Sequence, residues 1–151
     1  QAAQAEEARA KKASEDAAKA KKQAELASLQ KDIDSEIAKG KAALAAGNVE
    51  EAISHFNKAL SMLPSDDPAY SAKKKSEIAQ ALYDASENAE NPSDKKKLAD
   101  KAKSLAGEAA GKGSDDAGSH YVLGMEASKN KNYALAEAEF EKAFPSWGKE
   151  C

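Results

Sequence analysis

The chain has 151 residues and a net charge of −3, and although 41% of it is hydrophobic, alanine alone supplies 35 positions and leaves 27 larger or sulfur-bearing apolar residues. That inventory is too small for a thick core of normal density and favours elongated helical packing. Two valines and four isoleucines exclude a substantial β-sheet, no apolar run approaches a membrane span, and one Arg beside 22 Lys with near-balanced charge argues against nucleic-acid readout.

Neither Gly nor Pro occurs before Gly40. Residues 2–46 therefore read as one helix of roughly 65 Å at 1.5 Å per residue. Its halves differ. Before Leu26 there is no Leu, Ile, Val or aromatic residue, only a stripe of Ala10, Ala13, Ala17, Ala20, Ala24 and Ala27 at heptad spacing. From Leu26 the stripe becomes Leu26, Leu29, Ile33, Ile37 and Leu44, which can anchor in a core. Methyl groups bury too little area to anchor the first half. Two readings of that half stand side by side. One is a solvated helix held by propensity and by pairs such as Glu7–Lys11 and Glu15–Lys19. The other is an arm that pairs with a second copy, because alanines allow close backbone approach. Residues 1–30 carry six basic and five acidic groups, so they offer a membrane surface no polybasic attraction.

The second helix starts at Asn48, with Glu51 three residues on as in a capping box. Its apolar face is Ala52, Ile53, Phe56, Ala59, Leu60 and Leu63, and Pro64 follows. Asp67-Pro68 reads as N-cap and first turn of a third helix reaching about Asn88, with Tyr70, Ile78, Ala81, Leu82 and Ala85 inward. Asn91-Pro92-Ser93 opens a fourth, with Leu98, Ala102, Leu105 and Ala109; the Gly-rich stretch 111–114 ends it. Asp115 or Asp116 starts a fifth, carrying Tyr121, Val122, Leu123, Met125 and Ala127. Asn132 caps a sixth, with Leu135, Ala136, Phe140, Ala143 and Phe144, stopped by Pro145.

An internal repeat organises these helices. Gly40, Ala43, Asn48, Ala52, Phe56, Lys58 and Ala59 recur 84 positions later as Gly124, Ala127, Asn132, Ala136, Phe140, Lys142 and Ala143. Small residues belong where two helices cross closely, and one Phe wedges between them. Halving the offset aligns Ala43, Ala85 and Ala127, and also Gly40, Leu82 and Gly124. The middle helix pair thus keeps the unit's role in degenerate form.

The pattern resembles the tetratricopeptide repeat (TPR) family. Gly40, Ala52, Phe56, Ala59 and Pro64 match its spacing, as do Leu123, Gly124, Tyr133, Ala136, Phe140 and Ala143. The family's aromatic near the start of helix A is replaced by Glu36 and His120, and Pro145 comes early. The resemblance covers about residues 33–64 and 117–147. It implies an all-α, TPR-like α-α superhelix of about three helical hairpins: residues 1–31 form an Ala/Lys/Glu-rich arm and 32–148 the repeat domain. It also implies a non-enzymatic protein-interaction module, an adaptor or scaffold that binds a peptide or partner helix in a concave groove lined by the first helix of each hairpin. By register, the groove-facing residues are Ile37, Lys41 and Leu44, then Tyr121, Met125 and Lys129, with Tyr83 or Ile78 from the middle. Ile37, Leu44 and Tyr121 fit a core role equally well. Aromatic and Met side chains with flanking Lys point to a peptide with apolar and acidic residues. The clamp some family members use on a terminal carboxylate needs a Lys and an Asn where this chain has Ile37 and Lys41. A structural protein that self-assembles through its arm, giving a homo-oligomer, is the alternative.

Nothing points to catalysis. His55 and His120 occupy non-equivalent repeat positions and neither has a visible nucleophile. Glu137, Glu139 and Glu141 look solvated, Gly111, Gly113 and Gly118 make no phosphate loop, and Asp115-Asp116 lacks calcium-loop spacing. No cofactor or metal is expected. Cys151 is the lone thiol, so it supports neither an internal disulfide nor a cysteine zinc site. A chain opening at Gln1 reads as processed or excised. Together with the cysteine-free body and the resemblance of an Ala-rich helix before repeats to bacterial cell-envelope proteins, this favours an exported or periplasmic location.

Overall fold

A computed structural model describes residues 2–110 and 117–144. The Gly-rich stretch 111–114, the Asp115–Asp116 helix start, the Pro145 stop and Cys151 lie outside them. Among the described residues there are six helices and no strand: α1 (Ala2–Ala45), α2 (Val49–Ser61), α3 (Pro68–Asn88), α4 (Pro92–Ala109), α5 (Ala117–Lys129) and α6 (Tyr133–Ala143). They pack as three hairpins, α1/α2, α3/α4 and α5/α6, with α3 touching both α1 and α5. No helix is long and apolar enough to cross a membrane among these residues.

The helix α1 runs unbroken for 44 residues, through the boundary near residue 31 that the sequence reading places between an arm and a repeat domain. What changes there is burial. Residues 2–28 are exposed throughout, and Leu26 remains 38% exposed although the sequence places it on the anchoring stripe. The first fully buried side chain is Ile33. The arm is helical because Ala, Lys, Glu and Gln are strong helix formers, not because anything covers it.

The caps define the hairpins. Asp67 Oδ1 accepts the Tyr70 amide at 3.1 Å, and Asn91 Oδ1 accepts the amides of Ser93 and Asp94. Each precedes a proline in the first turn, as the sequence predicts. Asn48 departs from expectation. Its side chain caps nothing; its amide donates to Glu51 Oε2 at 3.4 Å instead. The equivalent Asn132 does cap, accepting the Leu135 amide at 3.3 Å. The residue facing it there is Leu135, which cannot compete for the Asn side chain.

The two outer hairpins turn alike. Gly47 and Lys131, 84 positions apart, both have positive φ, at 82° and 61°. The next amide in each case reaches back to a helix carbonyl: Asn48 to Ala43 at 2.8 Å, Asn132 to Ala127 at 2.9 Å. This is the left-handed helix ending that glycine favours. Above each turn a glycine meets the expected ring. A Cβ added at Gly40 would sit 2.6 Å from Phe56 Cε1, and one at Gly124 would sit 2.7 Å from Phe140 Cε1. Phe56 is fully buried and Phe140 half-buried. In the middle hairpin Leu82 takes the glycine's place and Leu98, midway between the two phenylalanines, takes the ring's place; both are buried. The volume lost from one side chain returns on the other.

One core runs through all three hairpins: Ile33, Ile37 and Phe56, then Ile78, Leu82, Tyr83, Leu98 and Leu105, then Val122. Gly118 brings α5 against α3, since a Cβ there would lie 3.0 Å from both Ser76 Oγ and Gln80 Oε1. Two sequence expectations fail on α6. Its buried stripe is Ala136, Glu139 and Ala143, so Leu135 faces outward at 47% exposure, while Phe144, just past the helix end, stays 41% exposed with its ring edge-on to Tyr121. Leu135 lies one residue, about 100° of helix rotation, away from Ala136.

A candidate binding groove

The seven residues singled out by the repeat register fall into three environments. Ile37 and Tyr83 are 2% and 1% exposed. Both belong to the core, and with them Ile78, so these side chains are unavailable to a partner. The register puts them on the first helix of a hairpin, and the packing of α3 with α1 and α5 takes them into the core. Tyr121 and Met125 are half-buried against the core; the Tyr121 ring lies 6.4 Å from Phe140 and 6.2 Å, edge-on, from Phe144.

The lysines are already engaged. Lys41 Nζ donates to Glu77 Oε1 at 2.8 Å, tying α1 to α3. Lys129 Nζ lies 3.2 Å from Glu87 Oε1 and 4.9 Å over the centre of the Tyr83 ring, tying α5 to α3. Burial, with the Glu87 carboxylate next in weight, pushes the Tyr83 hydroxyl up, while the Tyr83 hydroxyl and then Lys129 hold the Glu87 carboxyl below its ordinary range. A further cross-helix tie joins Lys74 Nζ to Asp34 Oδ1 at 2.6 Å.

Lys41 and Leu44 also line a groove of about 680 Å³ between the C-terminal ends of α1 and α3. Its apolar lining includes Leu44, Val49, Ala81, Ala85, Ala89 and Leu98. Tyr121, Met125 and Lys129 take no part in it. Its acidic lining residues are Asp84, Glu90 and Asp94. Burial, and then the charge of Glu87, push the Asp84 carboxyl above its ordinary range. Gly47 and Asn91, from the α1–α2 and α3–α4 turns, also contribute to its lining.

Sequence reasoning missed the polar links inside the outer hairpins. Glu36 is buried on α1, and its Oε2 accepts from His55 Nδ1 on α2 at 2.8 Å. On the last hairpin His120 Nδ1 donates to Glu139 Oε2 at 2.6 Å. Position 120 is the repeat equivalent of 36, and 139 that of 55. The same bond is built twice with its partners exchanged. Glu139, expected in solvent, is 8% exposed because it completes this pair. The signal was present: the two histidines are non-equivalent, yet each stands opposite a glutamate. These histidines hold helices together, and among the described residues no group of three or more His, Cys, Asp or Glu is placed to hold a metal ion.

Compared with known proteins, the chain matches no protein-family model, no curated protein and no solved structure.

Proposed function

We propose that this protein is a non-enzymatic interaction module of TPR-like design, whose hairpins hold a preformed groove for a peptide or helix of a partner protein. The observation that carries this reading is the groove between α1 and α3, apolar along its base and lined in part by residues of the α1–α2 and α3–α4 turns. A site that needs no ordering on binding avoids part of the entropy cost of association. The duplicated Gly–Phe wedge and left-handed turn support the TPR-like reading, because the glycine and ring positions that carry the resemblance meet in both outer hairpins. Site-specific photo-crosslinking in extract of the native source tests it. A crosslinker at Ala85, in the groove, captures one defined partner, whereas a crosslinker at Asn57 on the outer face of α2 does not. Capture from Asn57 alone would refute the groove reading.

A second reading has its own observation: the uncovered arm of α1, residues 2–28. In that reading the protein is a structural unit that self-assembles through the arm. Light scattering of the full chain against one beginning at Leu26 separates the two. A monomer in both removes the second reading.

A further inference from the structure

The groove's own charges select its occupant. Among the described residues Asp84, Glu90 and Asp94 have no cationic partner, while the one lysine in the lining, Lys41, is neutralised by Glu77 at 2.8 Å. The lysines that the sequence offered for an acidic peptide are therefore spent within the fold: Lys129 on Glu87 and Lys41 on Glu77. What remains at the rim is negative, above a base of Leu44, Val49, Ala81, Ala85, Ala89 and Leu98. The raised Asp84 carboxyl agrees with a carboxylate that lacks a counter-charge.

Resting on the docking function above, we propose that the α1–α3 groove receives a cationic amphipathic segment of a partner protein, its apolar side chains on the Leu44–Leu98 base and its Lys or Arg side chains on Asp84, Glu90 and Asp94. A volume of about 680 Å³ accommodates large aliphatic anchors. The chain's own arm supplies lysines but only alanine methyls along its stripe, and those would leave the groove underfilled. A partner with Leu, Ile or Met anchors fits better than a second copy.

The test uses the full chain labelled at Asn88 with an environment-sensitive dye and three peptides at pH 7. One is a synthetic amphipathic helix of Leu and Lys, the second its counterpart with Glu for Lys, the third residues 2–28 of this chain. The Leu/Lys peptide is expected to bind with an affinity that falls as salt rises, and the Leu/Glu peptide is expected not to bind. The double variant Asp84→Asn with Glu90→Gln should weaken binding about fivefold. The control Glu6→Gln with Asp16→Asn changes net charge equally on the distant arm and should leave binding unchanged. Equal weakening by both pairs would mean attraction to net charge alone and overturn the proposal. Tighter binding of the 2–28 peptide would make a second copy the occupant and overturn the choice of partner. Binding of the Leu/Glu peptide would overturn the charge assignment while leaving the docking function in place. No response to any peptide would overturn both.

Discussion

Adding one methyl group at Gly40 and at Gly107 should change stability in opposite directions. Gly107 lies inside α4 with nothing within 4 Å of an added Cβ. Gly107→Ala therefore gains only helix propensity, about 0.8–1.0 kcal/mol. Gly40→Ala gains the same amount, but its Cβ would fall 2.6–2.8 Å from three atoms of the Phe56 ring. That ring is fully buried. Overpacking of this kind costs about 1–3 kcal/mol. The net change is a loss of up to about 2 kcal/mol, against a gain of about 1 kcal/mol at Gly107. Gly124→Ala should lose less than Gly40→Ala, since Phe140 is only half-buried and can shift. Urea unfolding followed by helical circular dichroism reads all three on one scale. Adding Phe56→Leu to Gly40→Ala removes the obstructing ring atoms, so the methyl's own cost should fall in the double variant. If Gly40→Ala stabilises as much as Gly107→Ala, the close helix crossing at that point does not exist.

Other consequences follow from particular residues. His55, above all, with lesser help from Lys39 and Lys58, holds the Glu36 carboxyl below its ordinary 4.5. A depressed folded-state pKa contributes stability that is present above the unfolded value and lost as pH falls through the folded one. Urea midpoints should therefore decline below about pH 4.5, and Glu36→Gln should flatten that decline while lowering the midpoint at pH 7. Exchanging the pair, Glu36→His with His55→Glu, copies the arrangement of the last hairpin; the double variant should recover much of the midpoint that either single change loses. Lys131 adopts a left-handed φ of 61° without being glycine, so Lys131→Gly should stabilise by about 1 kcal/mol in the same assay. Asp84→Asn should raise the midpoint at pH 7, because it removes a carboxylate that burial and Glu87 disfavour, while weakening cationic peptide binding. A purely structural Asp84 would give the opposite sign on stability.

Much of the fold was legible in the sequence because it is carried by local chemistry. Asp67-Pro68 and Asn91-Pro92 announce helix starts that the structure places at those residues. The 84-residue repeat predicts a glycine under a phenyl ring, and both outer hairpins have one. The site was less legible. Ile37 shares a face of α1 with Lys41, and Tyr83 of α3 lies under Lys129 of α5, but which of these side chains stays open depends on how α3 lies against its neighbours, and one chain's register does not contain that. The pairing of the flanking lysines was hidden for a related reason: they look free in the sequence until Glu77 and Glu87 are seen to neutralise two of them. Asp84, Glu90 and Asp94 come from the degenerate middle unit, where the repeat gives no guidance. The signal for the His–Glu links was in the sequence but easy to pass over, because each hairpin reverses the order of its partners.

The most direct test is nuclear magnetic resonance of the isotope-labelled full chain titrated with the Leu/Lys peptide. Shifts confined to Leu44, Val49, Ala81, Ala85 and Leu98 and their neighbours would confirm a preformed groove between α1 and α3. Shifts centred on residues 2–28 or on the outer face of α2, with those groove signals unmoved, would contradict it.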